Sequence, residues 1–373
     1  SSRSSPSRST TCFVIHLKEP FAPLLSILAD RAGMMVSPAA VQKYGDDFVN
    51  HPVGTGPFIF KERVAGDHIT VEKNPNYWQT GLPKLDQVIY RPVTDENVRV
   101  INLQSGQLDL IDRVPAKSIS TLKGDSNLTV DMSSGLGFQG LYLNNTAPPF
   151  NDKTLRQALA ATVDRAALVN VAFNETADPA VSPFPPGTPA YDAEAYKVPG
   201  ADVARAKQIL QQAGKADGFT FTLKIAPSPL NEQIGQMIQN MAAQAGITAK
   251  IEQVEFGTLL DQLDNHEYQA AAVGWSGRAD PDQNIYNWLH TGAAQNDSVY
   301  SNSQVDQLLE QARVTSDTTQ RKDLYRQAMQ IVMDEQPYIY LYQPKDVKAY
   351  KKGITGYVHV PDGLIRVATI DKQ

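Results

Sequence analysis

The sequence predicts an α/β protein built as two lobes. At 373 residues it exceeds the ~250–300 residues at which single cores stop growing, so length favours about two domains. Between Phe219 and Trp275 short strand-like runs alternate with segments of helical period across short links. That β-α-β-α-β order argues for a mostly parallel sheet covered by helices. Pro148-Pro149 then marks a crossing into this region, and the chain leaves it again near residue 343. The expected division is a disordered head or cloning scar over residues 1–12, a first lobe over 13–145 plus 344–373, and an α/β second lobe over 146–343.

The elements follow in order. Phe13–His16 is expected as a short strand and Phe21–Ala32 as an amphipathic helix. Val36–Gly45 opens a helix at a Ser-Pro cap, where Ser37 accepts and Pro38 gives up no needed donor. Gly54-Thr55-Gly56-Pro57 is a turn. Phe58 and Phe60, then Ile69 and Val71, recur with the period of half-buried strands. Val64–Asp67 is the hairpin loop between them, and Tyr77-Trp78 is expected to cap a core. Asp95–Gly106 reads as a helix, Leu108–Ile111 as a strand, and Gly137–Asn144 as a strand leaving the first lobe.

In the second lobe, Asn151–Phe173 carries Leu155, Leu159, Val163, Leu168 and Val171 at helical spacing. The five prolines of 179–189 mark an irregular loop ordered by packing. Helices are expected over Asp202–Ala213, Glu232–Ala245 and Phe256–Leu263. Gly214 stops the first, and Gly246 is the usual left-handed stop of the second. Strands are expected at Phe219–Ile225, Ile247–Val254 and Ala270–Trp275. Helices Asn302–Ala312 and Thr319–Glu335 precede a Tyr338–Tyr342 strand, and Tyr350–Ala368 returns to the first lobe.

Composition limits the function. A net charge of −6 leaves no basic stripe for nucleic acid. Cys12 is the one cysteine, so neither an intrachain disulfide nor a cysteine metal site is available. The six histidines (His16, His51, His68, His266, His290 and His359) are scattered without an HExxH pair, so no metal is expected. Without a Walker loop or GxGxxG, no cofactor is expected either. No run of 18 apolar residues is present to span a membrane.

Several motifs occur together in one order: VGTGPFIF from Val53, NPNYW at Asn74–Trp78, LPKLD at Leu82–Asp86, DENVRVINLQSGQLD over Asp95–Asp109, and PFNDKTLRQALAATVDR over Pro149–Arg165. Gly274-Trp275, Asp280-Pro281 and Tyr300–Leu309 follow. In this order and spacing the chain resembles the family 5 extracellular solute-binding proteins of peptide-, nickel- and glutathione-type ABC transporters, over roughly residues 13–365.

The resemblance implies a two-lobed periplasmic-binding-protein-like fold (type II, peptide-binding cluster) with a hinge and a ligand cleft. It implies a periplasmic solute-binding component that captures a small peptide-like or anionic solute and presents it to an inner-membrane permease. It also implies that residues preceding Phe13 in relatives are lacking, leaving the first lobe incomplete. Exposed edges of that lobe would then invite self-association.

Site residues follow from position. In open α/β sheets, ligands sit beyond the carboxyl ends of strands. Gly274–Asp282 leaves such a strand, so Trp275 offers an apolar wall and Ser276 a hydroxyl. The resemblance places a ligand-amine-pairing Asp three residues after the Trp, where this chain has Arg278. A guanidinium there suits carboxylate or phosphate. Asp280 or Asp282 takes an amine if the loop is shifted; alternatively Arg278 pairs internally with one of them. Phe138 and Tyr142 face either the ligand or the core. Asn144 either bonds a ligand or closes a turn, and the loop 184–191 and Trp288 stand open in the same way.

The competing class is an atypical serine hydrolase, esterase-like, on the same scaffold. Ser120-Thr121-Leu122-Lys123 fits S-x-x-K but constrains only two positions, and Gly274–Arg278 lacks the last glycine of a nucleophile elbow. A hydrolase needs a nucleophile with a base in reach, and sequence spacing alone supplies no such set.

Overall fold

The computed structural model describes residues 13–373; the head expected over residues 1–12 lies outside the described residues. The described chain divides into two compact units. One comprises residues 13–26 with Leu136–Pro344, and the other Ile27–Gly135 with Lys345–Gln373. The first switch thus falls at 135/136 rather than near 145, because Gln139–Leu143 is an interior strand of the larger unit's sheet. Residues 13–26 also belong to that unit: Ala22 N–H donates to Arg313 O at 2.8 Å, and the Arg313 guanidinium lies 5.5 Å from the Phe21 ring centre.

The larger unit is a three-layer sandwich. Its sheet runs, from one edge, Thr248–Gln253, Thr220–Ile225, Ala270–Ala272, Gln139–Leu143 and Tyr338–Pro344, with Ala177–Pro179 paired to the last. The first three strands are parallel, as expected. Gln139–Leu143 enters antiparallel to both its neighbours, so the sheet is mixed rather than mostly parallel. The parallel order ends at Gln139–Leu143, and the last strand, Tyr338–Lys351, runs on into the other unit.

Period-2 alternation sends side chains to two cores. Leu141, Leu143, Leu223, Ile339 and Leu341 pack under helices Lys153–Thr162, Arg165–Ala172, Val203–Gln212 and Pro229–Ala243. Phe138, Tyr142, Ala271, Tyr338 and Tyr340 pack under Phe256–Asp264, Asp282–Leu289, Ser303–Val314 and Thr318–Glu335. A register shift between Tyr340 and Tyr342 moves Tyr342 to the Leu341 core.

Helix starts follow their caps. Asp152, Asp164, Asp202, Asn302 and Asp317 each accept a first-turn N–H, satisfying donors that helix geometry leaves orphaned. Ser228 with Pro229 starts one helix three residues before the expected Glu232. Asn151–Phe173 breaks into two helices because Asp164 caps a second one. The prolines of 179–189 carry no helix, and Val181, Phe184 and Ala190 are buried there.

The smaller unit holds an antiparallel sheet of Phe58–Val64, His68–Lys73 and Gln87–Tyr90. A second sheet pairs Lys345–Lys351 with Leu128–Ser134, and Ala349-Tyr350 with Leu110-Ile111. Ser37 caps Pro38–Tyr44 and Asp95 caps Glu96–Gln104, as the sequence predicts. Three expectations here, or beside it in residues 13–26, are corrected. Phe13–His16 holds a single bridging residue. The Phe21–Ala32 helix shrinks to Leu24–Leu28 and a 3-10 turn, neither with a buried residue, so no core holds a longer helix. Trp78 caps nothing: it is 74% exposed and tilts against Tyr77 at 5.7 Å.

Candidate functional site

The segment Gly274–Asp282 follows the Ala270–Ala272 strand at its carboxyl end. Its backbone is fastened to Leu136–Gln139. Phe138 N–H donates to Trp275 O at 3.0 Å, and Trp275 N–H to Phe138 O at 2.9 Å. The approach is close enough to require glycine. A Cβ on Gly274 would stand 2.3 Å from Phe138 O, and one on Gly277 would stand 2.0 Å from Leu136 O. Gly277 also has φ +77°, a region that favours glycine.

Asn284 fastens the other side. Its Oδ1 accepts from Arg278 N–H at 2.7 Å and from Trp275 Nε1 at 3.2 Å, and its Nδ2 donates to Arg278 O at 2.8 Å. Buried in the first turns of Asp282–Leu289, Asn284 fixes both the tryptophan ring and the Arg278 backbone. Sequence reasoning missed it; an amide two residues after Asp282 carries no signal until the helix folds back on the loop.

Trp275 is half-buried and Ser276 exposed. The Arg278 guanidinium lies 4.5 Å from the Trp275 ring centre. It donates to Ser276 Oγ at 3.0 Å and Gly277 O at 2.6 Å. Cation–π contact and these two bonds hold a long side chain in one orientation. Trp275, Ser276 and Arg278 therefore form one surface.

The remaining expected site residues make contacts within the protein. Asp280 is buried and accepts a fork from Arg321 at 2.8 and 2.6 Å, while its Oδ1 also takes Asp282 N–H at 2.9 Å. Asp282 is buried under a second fork from Arg313 at 3.0 and 2.9 Å, and that guanidinium stacks 3.3 Å from the Tyr286 ring centre. Both carboxylates, expected to take a ligand amine if the loop is shifted, are instead paired here with arginines from helices Ser303–Val314 and Thr318–Glu335. Phe138 meets Trp288, Tyr338 and Tyr340 edge-on at 4.9, 5.8 and 5.2 Å. Tyr142 stacks on Trp288 at 5.0 Å. Both are core. Asn144 is buried, donates to His266 O and Tyr268 O, and accepts from Thr146; it closes a turn.

A concavity of about 410 Å³ lies beyond the other end of the Ala270–Ala272 strand, lined by Asp264, His266, Asn296, Asp297 and Tyr300 among others. Burial there, reinforced by the Asp264 charge, pushes the Asp297 carboxyl up to about 6.

In the smaller unit, S-x-x-K falls on the short helix Ile119–Gly124, and its Leu122 is core. The structure instead joins a serine and a histidine that sequence distance hides: Ser133 Oγ is hydrogen-bonded to His359 Nε2.

Comparison with known proteins agrees with this architecture. Residues 7–296 match the profile of bacterial extracellular solute-binding proteins, family 5 Middle. The glutathione-binding protein GsiB of Salmonella paratyphi A is 37% identical over 361 residues, covering 93% of this chain and 70% of that protein. The periplasmic binding protein AgaA of A. tumefaciens, solved with agropinic acid, aligns with a TM-score of 0.82 at 29% identity, over 96% of this chain and 75% of that one. The ABC transporter-associated periplasmic binding protein DppA of Helicobacter pylori, solved with the peptide STSA, aligns with a TM-score of 0.81 at 29% identity, over 96% and 72%. Family profile, relative and fold converge: the chain belongs to the bacterial extracellular solute-binding proteins of family 5 and is a solute-binding component of an ABC transporter.

Proposed function

We propose that this protein captures a small anionic, peptide-like solute of the glutathione type in the periplasm and presents it to an inner-membrane permease. Trp275, Ser276 and Arg278 are the contact residues in this reading. The observation that carries it is the charge order of the Trp275 segment. Asp280 and Asp282 are held by Arg321 and Arg313, and the guanidinium of Arg278 lies against the tryptophan ring. The forked donors of a guanidinium suit a solute carboxylate at this point better than an ammonium. The glutathione-binding relative at 37% identity supports the same solute class, since glutathione carries two carboxylates. Phe138, Tyr142, Asn144, Asp280 and Asp282 support the segment without touching solute.

Calorimetric titration tests this with glutathione, its diethyl ester and a neutral dipeptide blocked at both ends (an N-acetyl dipeptide amide), which carries no carboxylate. Glutathione is expected to bind most tightly. Arg278→Ala should weaken it roughly 10- to 150-fold, the equivalent of a charge-assisted hydrogen bond of about 1.5–3 kcal/mol. The ester should be insensitive to that substitution. Equal affinity for the neutral dipeptide, or an unchanged affinity in Arg278→Ala, overturns the assignment.

Self-association belongs to the same reading. Strands Phe58–Val64 and Gln87–Tyr90 are the outer strands of their sheet, with Ile59, Val64, Ile89 and Tyr90 exposed. Unpaired strand edges of this kind template pairing with a second chain. A mass that rises with concentration in sedimentation velocity is expected, and a constant monomer mass up to millimolar concentration excludes it.

A further inference from the structure

We propose that Ser133, His359 and Asp131 form a hydrolytic site for small carboxylic esters in the smaller unit, separate from the Trp275 segment and independent of the solute-binding reading. Asp131 and Ser133 stand two residues apart in the strand Leu128–Ser134 and so project from one face. Opposite them, in antiparallel register, stand Lys348 and Asp346. His359 reaches the same face from the loop between the Ile354-Thr355 and Asp371-Lys372 strands.

The arrangement assigns roles. Ser133 Oγ is hydrogen-bonded to His359 Nε2, the contact a base needs to take a hydroxyl proton. With Nε2 accepting, Nδ1 carries the ring proton. That Nδ1 is buried and has no hydrogen-bond partner, and such orphans call for a functional explanation. The carboxylate facing it is Asp131 Oδ2, 3.8 Å away. A shift of about 1 Å closes that gap to hydrogen-bond length, and catalytic contacts commonly tighten only with substrate bound.

Asp346 also faces the ring, 3.8 Å from Nε2, but the fully buried Lys348 ammonium is bound to it. Asp131 is thus the carboxylate left to orient the imidazole. The cluster is reachable: the His359 side chain is 17% exposed and that of Asp131 29%.

The step balances without a co-reactant other than water. Ser133 Oγ bonds to the ester carbonyl carbon as its proton passes to His359 Nε2. The carbon–alkoxy bond breaks, and the alkoxide leaves with that proton. Water then gives a proton to His359 Nε2 and its oxygen to the acyl carbon. The carbon–Oγ bond breaks, and the proton returns to Ser133. Asp131 touches no substrate and is a positioning residue.

The test uses the full chain, p-nitrophenyl acetate turnover, and intact mass after treatment with a fluorophosphonate, which esterifies activated serines with loss of fluoride. Wild type is expected to turn over the ester and gain one phosphonyl group, mapped to Ser133. Ser133→Ala should lose both while keeping the wild-type melting temperature and calorimetric solute titration. His359→Gln should lower turnover by about 100-fold or more. Asp131→Asn should lower turnover and displace its pH profile with the melting temperature unchanged. Wild type without adduct or turnover, or Ser133→Ala retaining either, overturns the proposal. Both results leave the solute titration, and hence the reading based on Arg278, to stand or fall separately.

Discussion

Asp280→Asn separates a structural carboxylate from a ligand-binding one. The substitution keeps the side-chain shape but removes the charge opposite Arg321. That pair is nearly dry, with side-chain exposures of 12% for Arg321 and 6% for Asp280. Arg321 also donates from Nε to Ala312 O at 3.0 Å, so the guanidinium is held and cannot swing into water. Breaking a buried pair from one side costs about 3–5 kcal/mol, because the partner charge is stranded. For a domain of 150–250 residues each kcal/mol moves the melting temperature by about 2–4 °C, so a fall of roughly 6–20 °C is expected. Circular-dichroism melting measures it, with the same solute titrated below the transition. Arg321→Gln should fall similarly, and the double variant should fall by much less than the sum, since neither charge is then stranded. A melting temperature within about 2 °C of wild type, together with collapsed solute affinity, would refute the reasoning and return Asp280 to the ligand.

Other expectations follow from the same geometry. Gly140→Ala places a Cβ 2.3 Å from Ile339 O and 2.4 Å from Tyr338 Cε1, so little soluble protein should be recovered. Gly187→Ala, with φ +86° but nothing within 4 Å, should cost only the left-handed strain of about 1–2 kcal/mol in chemical denaturation. Phe138→Ala empties the centre of three edge-on ring contacts and should cost about 3–5 kcal/mol, with the solute affinity of the folded fraction retained. Asp297 sets a pH dependence. Its folded value near 6 lies above the ordinary 3.8, so the native state holds the proton more tightly than the unfolded chain. Its contribution is complete below about 3.8 and disappears as pH rises through about 6. Asp297→Asn should flatten the melting-temperature profile over that window and raise it at pH 7; an unchanged slope would show that another group governs it.

What the sequence reveals depends on how local the cause is. Ser37-Pro38, Asp95, Asp202 and Asn302 act on their own first turns, so those helix starts are readable within a residue or two. The alternation in Thr220–Ile225 is likewise a property of six neighbouring residues. Elements that needed a distant partner were misread. Gln139–Leu143 became an interior strand of the larger unit because Ala270–Ala272 and Tyr338–Tyr342 flank it, and no residue inside it announces those neighbours. Leu24–Leu28 stayed short because an amphipathic pattern without a core to bury its face does not hold a long helix.

The charges near Trp275 show the same limit more sharply. Arg278, Asp280 and Asp282 are separated by single residues, and proximity in sequence suggests that they answer one another. The fold decides otherwise, since Arg321 lies 41 residues beyond Asp280 and Arg313 31 beyond Asp282. Two adjacent helices deliver these forks to one loop and neutralise its carboxylates. The carboxylate contact proposed for Arg278 is therefore compatible with its acidic neighbours only because those helices intervene. Ser133 and His359, 226 residues apart, make the complementary case. The S-x-x-K match lies on the short helix Ile119–Gly124, whereas the serine–histidine contact has no motif at all. It arises because antiparallel pairing lines up Asp131 and Ser133 beside Lys348 and Asp346 and a C-terminal loop folds His359 onto that face. On this scaffold, contacts between residues far apart in sequence are better sought in cross-strand register than in linear patterns.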